Sequence, residues 1–385
     1  MSDDLTLLIG TTKGAFLLNG PGHWQVSGPH CGGWPINHVI GDPGTGTIWA
    51  GGGGDWHGAG IWQSDDGGQS WTVTRLTRGT MDDWAEKDPD FAAMIGWTDD
   101  PLPFGGDFQQ VWSLALNHGT LHAGTKPATL LASRDRGMTW SVVEGLTDHP
   151  SHGDWNPGAA GLVLHTIVGD PVDAEKLWVG ISAAGVFATG DGGKTWERRN
   201  RLSNAGNCAG HDHPAAPRDG EIGHCVHNMM RAPGGGEVLY QQNHHGVWRS
   251  GDGGRSWDDI TAGLPSTFGF PIRVHPRDPD TLWVLPLNGD MAGRFPPDAK
   301  AAVWRSRDGG QSWQAMRDGL PQGGCYFTVL RQAMAGDRRT PAGVYFGTNS
   351  GSVFASDDEG ETWEEIARHL PTILSVEVLE RNGGA

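Results

Sequence analysis

SDDGGQSW, residues 64–71, is the stretch on which the fold turns, because its pattern returns five more times. The copies are SRDRGMTW (133–140), TGDGGKTW (189–196), SGDGGRSW (250–257), SRDGGQSW (306–313) and SDDEGETW (356–363). Successive motif tryptophans are 69, 56, 61, 56 and 50 residues apart, a period that suits a four-stranded unit repeated around an axis. The motif has a mechanical explanation. A short Asp such as Asp66 or Asp252 can accept backbone N–H groups within its own turn. The glycines supply positive φ, and the Trp buries a large area against the neighbouring layer. These aspartates read as structural rather than catalytic.

Four strands can be spelled out around each motif. In the third unit LVLHTIV, KLWVGI, GVFATG and WERRN are strands A to D, with the motif in the C–D turn. The chain opens with LTLLIG, GAFLLNG and HWQVSG, which read as strands B, C and D of a unit whose strand A is TILSVEVLE (372–380). The expectation is an all-β chain, one seven-bladed β-propeller domain over 1–385, closed by pairing 4–26 with 372–380 so that no sheet edge is left free. The repeat resembles the BNR or Asp-box repeat of sialidases, sortilin-type receptors, xyloglucanases and a photosystem II assembly factor. The resemblance spans the chain and implies the propeller fold; its relatives do unrelated things, so it says little about function.

Composition agrees. Gly 62, Trp 19 and 19% charged residues suit many turns and short strands. A net charge of −17 disfavours polyanion partners, so neither nucleic acid nor an anionic membrane surface is expected. No run approaches the roughly 18 apolar residues of a membrane span. The N-terminus lacks a basic region followed by a long apolar core, and Cys31, Cys208, Cys225 and Cys325 are too few to staple the chain, which predicts a reduced, cytoplasmic protein.

With the motifs in C–D turns, the D–A and B–C loops share the opposite face. The long insertions 77–108, 144–160, 198–223 and 286–301 fall there, and loops of such length are usually functional. Aligning the A strands places His38, Ser113, His165, His227, Arg273, Thr328 and Glu377 at one height along the channel, with His224, Cys225, Tyr326, His244 and His245 nearer the mouth. His38, His165 and His227, completed by Glu377 or His224, are the expected ligands of a divalent transition metal: Zn, Mn, Fe, Cu or Ni. In outline this resembles oligogalacturonate lyase, a propeller that holds a metal with channel histidines. The plainer alternative is a channel of hydrogen-bonded His, Arg and Glu with no metal. The segment GHDHP (210–214) reads equally as a solvated loop.

Exo-sialidase is disfavoured. Members of that family carry an early Arg-Ile-Pro motif and three substrate-gripping arginines. This chain reads GPHCGGWPINH near its start with no arginine before Arg75, and FPIRVHP (270–276) falls in the wrong blade. The family's Tyr–Glu nucleophile would have only Tyr240, Tyr326 and Tyr345 to draw on. Closer in pattern are bacterial BNR-repeat proteins carrying GPH, LHT, GHCVH and LSVEV, matched at 28–30, 164–166, 223–227 and 374–378. The reading is a metal-dependent hydrolase or lyase acting on a small polar or sugar-like substrate. Glu377 or His224 would be the base, Arg273 the anion holder, and Tyr326 a group near the channel top. Trp34 or Trp155 would stack on the substrate, with Asp154, His244 and His245 around it. The alternatives are a non-catalytic binding or assembly propeller and a metal-free, sialidase-like glycosidase using Asp154 and Glu377, whose separation would set its stereochemistry.

Overall fold

The computed structural model describes residues 5–200, 225–234 and 236–380. Its strands pair antiparallel in chain order. Val163–Gly169, Leu177–Ser182, Gly185–Thr189 and Glu197–Arg198 form one such sheet. The second and third of these are buried along their whole length, so they carry continuous apolar runs rather than alternation. The same order recurs in sheets that begin at Ile36, Gln110, Val226, Gly269 and Met334; the first two are joined by the single pairing Gly53↔Gln110. Leu5–Thr11, Gly14–Gly20 and Gln25–His30 take their fourth strand from the other end of the chain. Ile373–Glu380 runs antiparallel to Leu5–Thr11, from Leu5↔Glu380 to Thr11↔Ile373.

The first strands of successive sheets pack side by side, from Ile36–Gly41 through Gln110–Asn117, Val163–Gly169, Val226–Arg231, Gly269–Val274 and Met334–Gly336 to Ile373–Glu380. The last of these also packs on Ile36–Gly41. The chain is a β-propeller, with these strands around a central channel.

The repeated motif behaves as the sequence predicts. Ser64 donates to Asp66, whose carboxylate accepts from the backbone N–H of Gln69 and Ser70 and from the Ser70 hydroxyl at 2.5 Å. The Ser70 hydroxyl leads the causes that hold Asp66 at about 2, and Asp135 and Asp191 are held at the same value by Thr139 and Thr195. The carboxylate is thus committed to holding its own turn. Gly68 has φ +90, and a Cβ there would stand 2.2 Å from Leu17 of the neighbouring sheet, so turn and close packing both demand glycine.

The motif also stitches sheets together. Trp49 donates its Nε1–H to Arg136 O, Trp178 to Gly253 O and Trp283 to Glu359 O, each reaching the motif turn of another sheet. These buried tryptophans supply apolar area and a satisfied N–H at once.

Candidate functional site

The channel is a cavity of about 1610 Å³ lined by first-strand residues His38, Ser113, His165, Asn228 and Glu377, and by Gln332 ahead of the strand that begins at Met334. Its other lining residues include Pro43, Pro171, Pro233, Pro276 and Thr340, which sit in the A–B turns. Those turns lie on the same face as the motif turns: Thr47 of an A–B turn donates to Asp65, and the motif glycines Gly192, Gly253 and Gly309 donate to Glu175, Glu237 and Asp280. The wide mouth therefore opens on the face opposite the insertions. At the inner end the segment before Met334 crosses the channel. Gln332 donates to His165 O, Asn228 donates to Arg331 O at 2.7 Å, and Val376 N–H donates to Gln332 O at 2.8 Å. The Arg331 guanidinium lies 5.1 Å over the Phe270 ring. Residues 331–332 thus touch four different sheets and form the floor of the funnel.

The expected alignment of the A strands is corrected by β-bulges. Pairing jumps from Ile36↔Gly52 to His38↔Gly51, from Val111↔Thr125 to Ser113↔Gly124, from Leu164↔Ile181 to Thr166↔Gly180 and from Val226↔Asn243 to Asn228↔Gln242. By register His38 corresponds to Ser113, Thr166 and Asn228, whereas His165 and His227 are themselves the extra residues, equivalent to Asn37 and Trp112. A one-residue offset changes which way a side chain points. Thr328 is not on a first strand at all; that strand begins at Met334, and Thr328 bonds Asn349 and Arg294 O.

The three histidines consequently lie in different settings. His38 Nδ1 accepts from Leu114 N–H at 2.9 Å, which puts its proton on Nε2, facing Glu377 Oε1 at 3.4 Å. Both ring nitrogens are engaged, so His38 offers no ligand atom in this geometry. His165 is fully buried and runs a relay: its Nδ1–H meets Thr166 Oγ1 at 2.8 Å, and Thr166 donates to Asn228 Oδ1. Burial, with Arg331 nearby, pushes the His165 and His227 pKa values well down, so both rings are neutral. Among the described residues the group of donor atoms gathered closely enough for one metal is Cys225, His227 and His244, not His38, His165 and His227. Part of the channel polarity is met by hydrogen bonds between neighbouring sheets, as from Ser113 Oγ to Leu164 O and from Thr166 to Asn228, while His165 Nε2 has no hydrogen-bond partner among the described residues.

The other candidates divide as follows. Arg273 lines the cavity and donates Nη2–H to Gly336 O. Tyr326 is 70% exposed and leans edge-on against Phe295, away from the cavity lining. Trp34 is buried, stacked on His57 at 4.5 Å and edge-on to Trp62, so it is core and presents no face to a ligand. Trp155 packs on Phe187 and His152 and donates to Ser151. Asp154 is exposed in the 144–160 insertion and does not line the cavity holding Glu377, so these two carboxylates do not flank one bond. His244 and His245 form the two-residue turn between Asn243 and Gly246. His224, His211, His213 and most of the 198–223 insertion lie outside the described residues.

One feature of the insertion face escaped sequence reasoning. Trp56, in a B–C turn, meets Trp84 at 5.5 Å and Phe91 at 6.4 Å, and the two indoles are 40% and 57% exposed. Trp84 belongs to α1 (Thr80–Lys87) and Phe91 to α2 (Pro89–Ile95), the helical part of the 77–108 insertion. The helices are pinned. Asp82 is buried and accepts from Gly79 N–H, the Arg75 guanidinium and Trp97 Nε1–H, while Asp88 caps α2 ahead of Pro89 and Gly96 closes it at φ +65. Thr80 and Met81 N–H bond Asp55 O and Trp56 O, which docks α1 on the turn. A Cβ at Gly79 would stand 2.5 Å from Trp56 O, so glycine is required for that docking. The signal was present in GGDWHG (53–58) and in the cap pattern of 79–96, but only the fold brings the two together.

No protein-family model matches the chain. Among curated proteins it is similar to the oligoxyloglucan-reducing end-specific xyloglucanase of Emericella nidulans, 25% identical over 220 residues, covering 50% of this chain and 25% of that one. It is also similar to a xyloglucanase of Hypocrea jecorina, 23% identical over 249 residues, covering 60% and 27%. The chain thus spans about a quarter of the length of the curated relatives it matches. In fold it is similar to the GH74 xyloglucanase of Xanthomonas campestris, with TM-score 0.61, 16% identity and coverage of 95% of this chain and 53% of that one. It also resembles YCF48 bound to D1 peptide, with TM-score 0.51, 16% identity and coverage of 86% and 82%. These likenesses support the propeller. They overturn the expectation of a metal-dependent hydrolase or lyase, because the curated relatives are xyloglucanases; the glycosidase alternative is the one they favour.

Proposed function

We propose that the chain is one seven-bladed Asp-box propeller, its ring closed by Ile373–Glu380, and that it is a glycoside hydrolase acting on a glycan bound across the insertion face. The observation that carries the reading is the exposed, braced aromatic cluster of Trp56, Trp84 and Phe91. Rigid indoles with free faces suit the apolar C–H faces of sugar rings, and an exposed apolar patch bordered by charge marks a binding surface. Asp55 precedes Trp56 and Asp83 precedes Trp84; both are exposed, and we assign them as the acid and base that glycoside hydrolysis requires. Similarity to xyloglucanases over half the chain supports a branched β-glucan as substrate. Calorimetric titration with xyloglucan oligosaccharides tests the surface. Trp56→Ala and Trp84→Ala should each weaken binding about tenfold, a loss of about 1.4 kcal/mol, without lowering the melting temperature by more than a few degrees. Unchanged affinity in both would remove the platform from the account.

A further inference from the structure

On the wall of the same face, the innermost strand Val226–Arg231 and the turn after Leu239–Asn243 gather three metal-seeking side chains. Cys225, His227 and His244 each offer a donor atom within 4.8 Å of the others. The arrangement is built by the hairpin. His227 is the extra residue of the bulge between Val226 and Asn228, which brings its ring beside Cys225, the residue just ahead of the strand, and His244 N–H donates to Cys225 O at 3.0 Å, which sets the turn beside them.

The surroundings are those of a ligand set. His227 Nδ1–H donates to Gly269 O at 2.5 Å, which fixes the tautomer and leaves Nε2 with its lone pair outward; a metal-binding imidazole is typically oriented by such a bond to a carbonyl. Ser182 Oγ lies 3.0 Å from Cys225 Sγ, placed to donate to a thiolate. Phe268 and Phe270 close one side, 5.2 Å and 4.6 Å from the His227 ring, with Phe268 also 5.1 Å from His244. Cys225 is 4% and His227 2% exposed, while His244 is half-buried.

We infer that Cys225, His227 and His244 bind a zinc ion, one thiolate and two imidazoles with a fourth position for water. This donor set is one that borderline-soft divalent metals prefer over calcium or magnesium. The ion would tie the B–C turn to the channel wall and takes no part in the proposed glycan chemistry, so the two readings stand or fall separately.

The experiment uses the full chain, stripped with chelator, dialysed, and titrated with Zn²⁺ by calorimetry and with Co²⁺ by absorption. One equivalent of Co²⁺ should give a thiolate-to-cobalt charge-transfer band that Zn²⁺ abolishes. Cys225→Ser should lose the band and weaken Zn²⁺ binding at least tenfold; His244→Ala should keep the band but bind at least tenfold more weakly. Cys31→Ser, in a different sheet, should match the unaltered chain. If Cys225→Ser melts early, the His244→Ala titration decides, since that side chain sits at a turn. Absence of one-equivalent binding, or a band and affinity unchanged in Cys225→Ser and His244→Ala, would overturn the site.

Discussion

Truncation after Pro371 removes the strand that joins the two ends of the chain, and the structure sets the size of the effect. Ile373–Glu380 pairs with Leu5–Thr11 along that strand's whole length, and its side chains Ile373, Val376 and Leu379 are at most 1% exposed. Burying an aliphatic side chain is worth about 1.5–3 kcal/mol, so these three alone contribute roughly 5–9 kcal/mol. Domain stabilities run to about 5–15 kcal/mol in total. The loss is therefore of the same order as the whole, and the exposed edge of Leu5–Thr11 would recruit other chains. The truncated protein should show no cooperative thermal transition by circular dichroism and should elute as aggregate in size-exclusion chromatography. Adding a synthetic peptide of residues 372–385 during refolding should restore soluble monomer in part. A truncated chain that stays monomeric with an unchanged melting temperature would refute the closure.

Trp257→Ala should destabilise by about 3–5 kcal/mol, measured by chemical denaturation, because this motif indole is 0% exposed and bonded to Arg199 O. Trp34→Ala should cost a similar amount while leaving glycan affinity per folded molecule unchanged, since Trp34 is core. Stability should fall as pH drops below about 6.5 in the presence of chelator. Burial lowers His122 to about 4 and also pushes His165 down, so the unfolded chain takes up protons that the folded chain refuses. The stability is complete above about 6.5 and is lost on the way down; for His122 the gap is worth about 3 kcal/mol at about 1.4 kcal/mol per pH unit. His122→Gln should flatten the profile, and an unchanged slope would contradict the assignment.

The propeller was legible because its decisive information is local. A serine, an aspartate, two small residues and a tryptophan specify a turn without reference to anything distant, and the turn recurs. The N-terminal strands and TILSVEVLE could be matched because each was an incomplete unit. The channel resisted for the opposite reason. A bulge at His165 and at His227, each adding one residue to a strand, is invisible in alternation, and it separates residues that a simple alignment puts at one height. The floor made by Arg331 and Gln332 depends on a first strand that starts late, at Met334, which YFTVL conceals. Cys225 and His244 meet only through hairpin register, and Trp56 and Trp84 only through docking of α1 on a turn.

Reducing-end release from xyloglucan is the sharpest test of glycan hydrolysis at the insertion face. The purified chain should liberate reducing ends resolved as oligosaccharides by chromatography, with activity reduced at least a hundredfold in Asp83→Asn and Asp55→Asn and retained after chelation. Tight xyloglucan binding with no reducing ends released would contradict hydrolysis and leave a non-catalytic binding propeller; activity unaffected by either substitution would contradict the placement of the site.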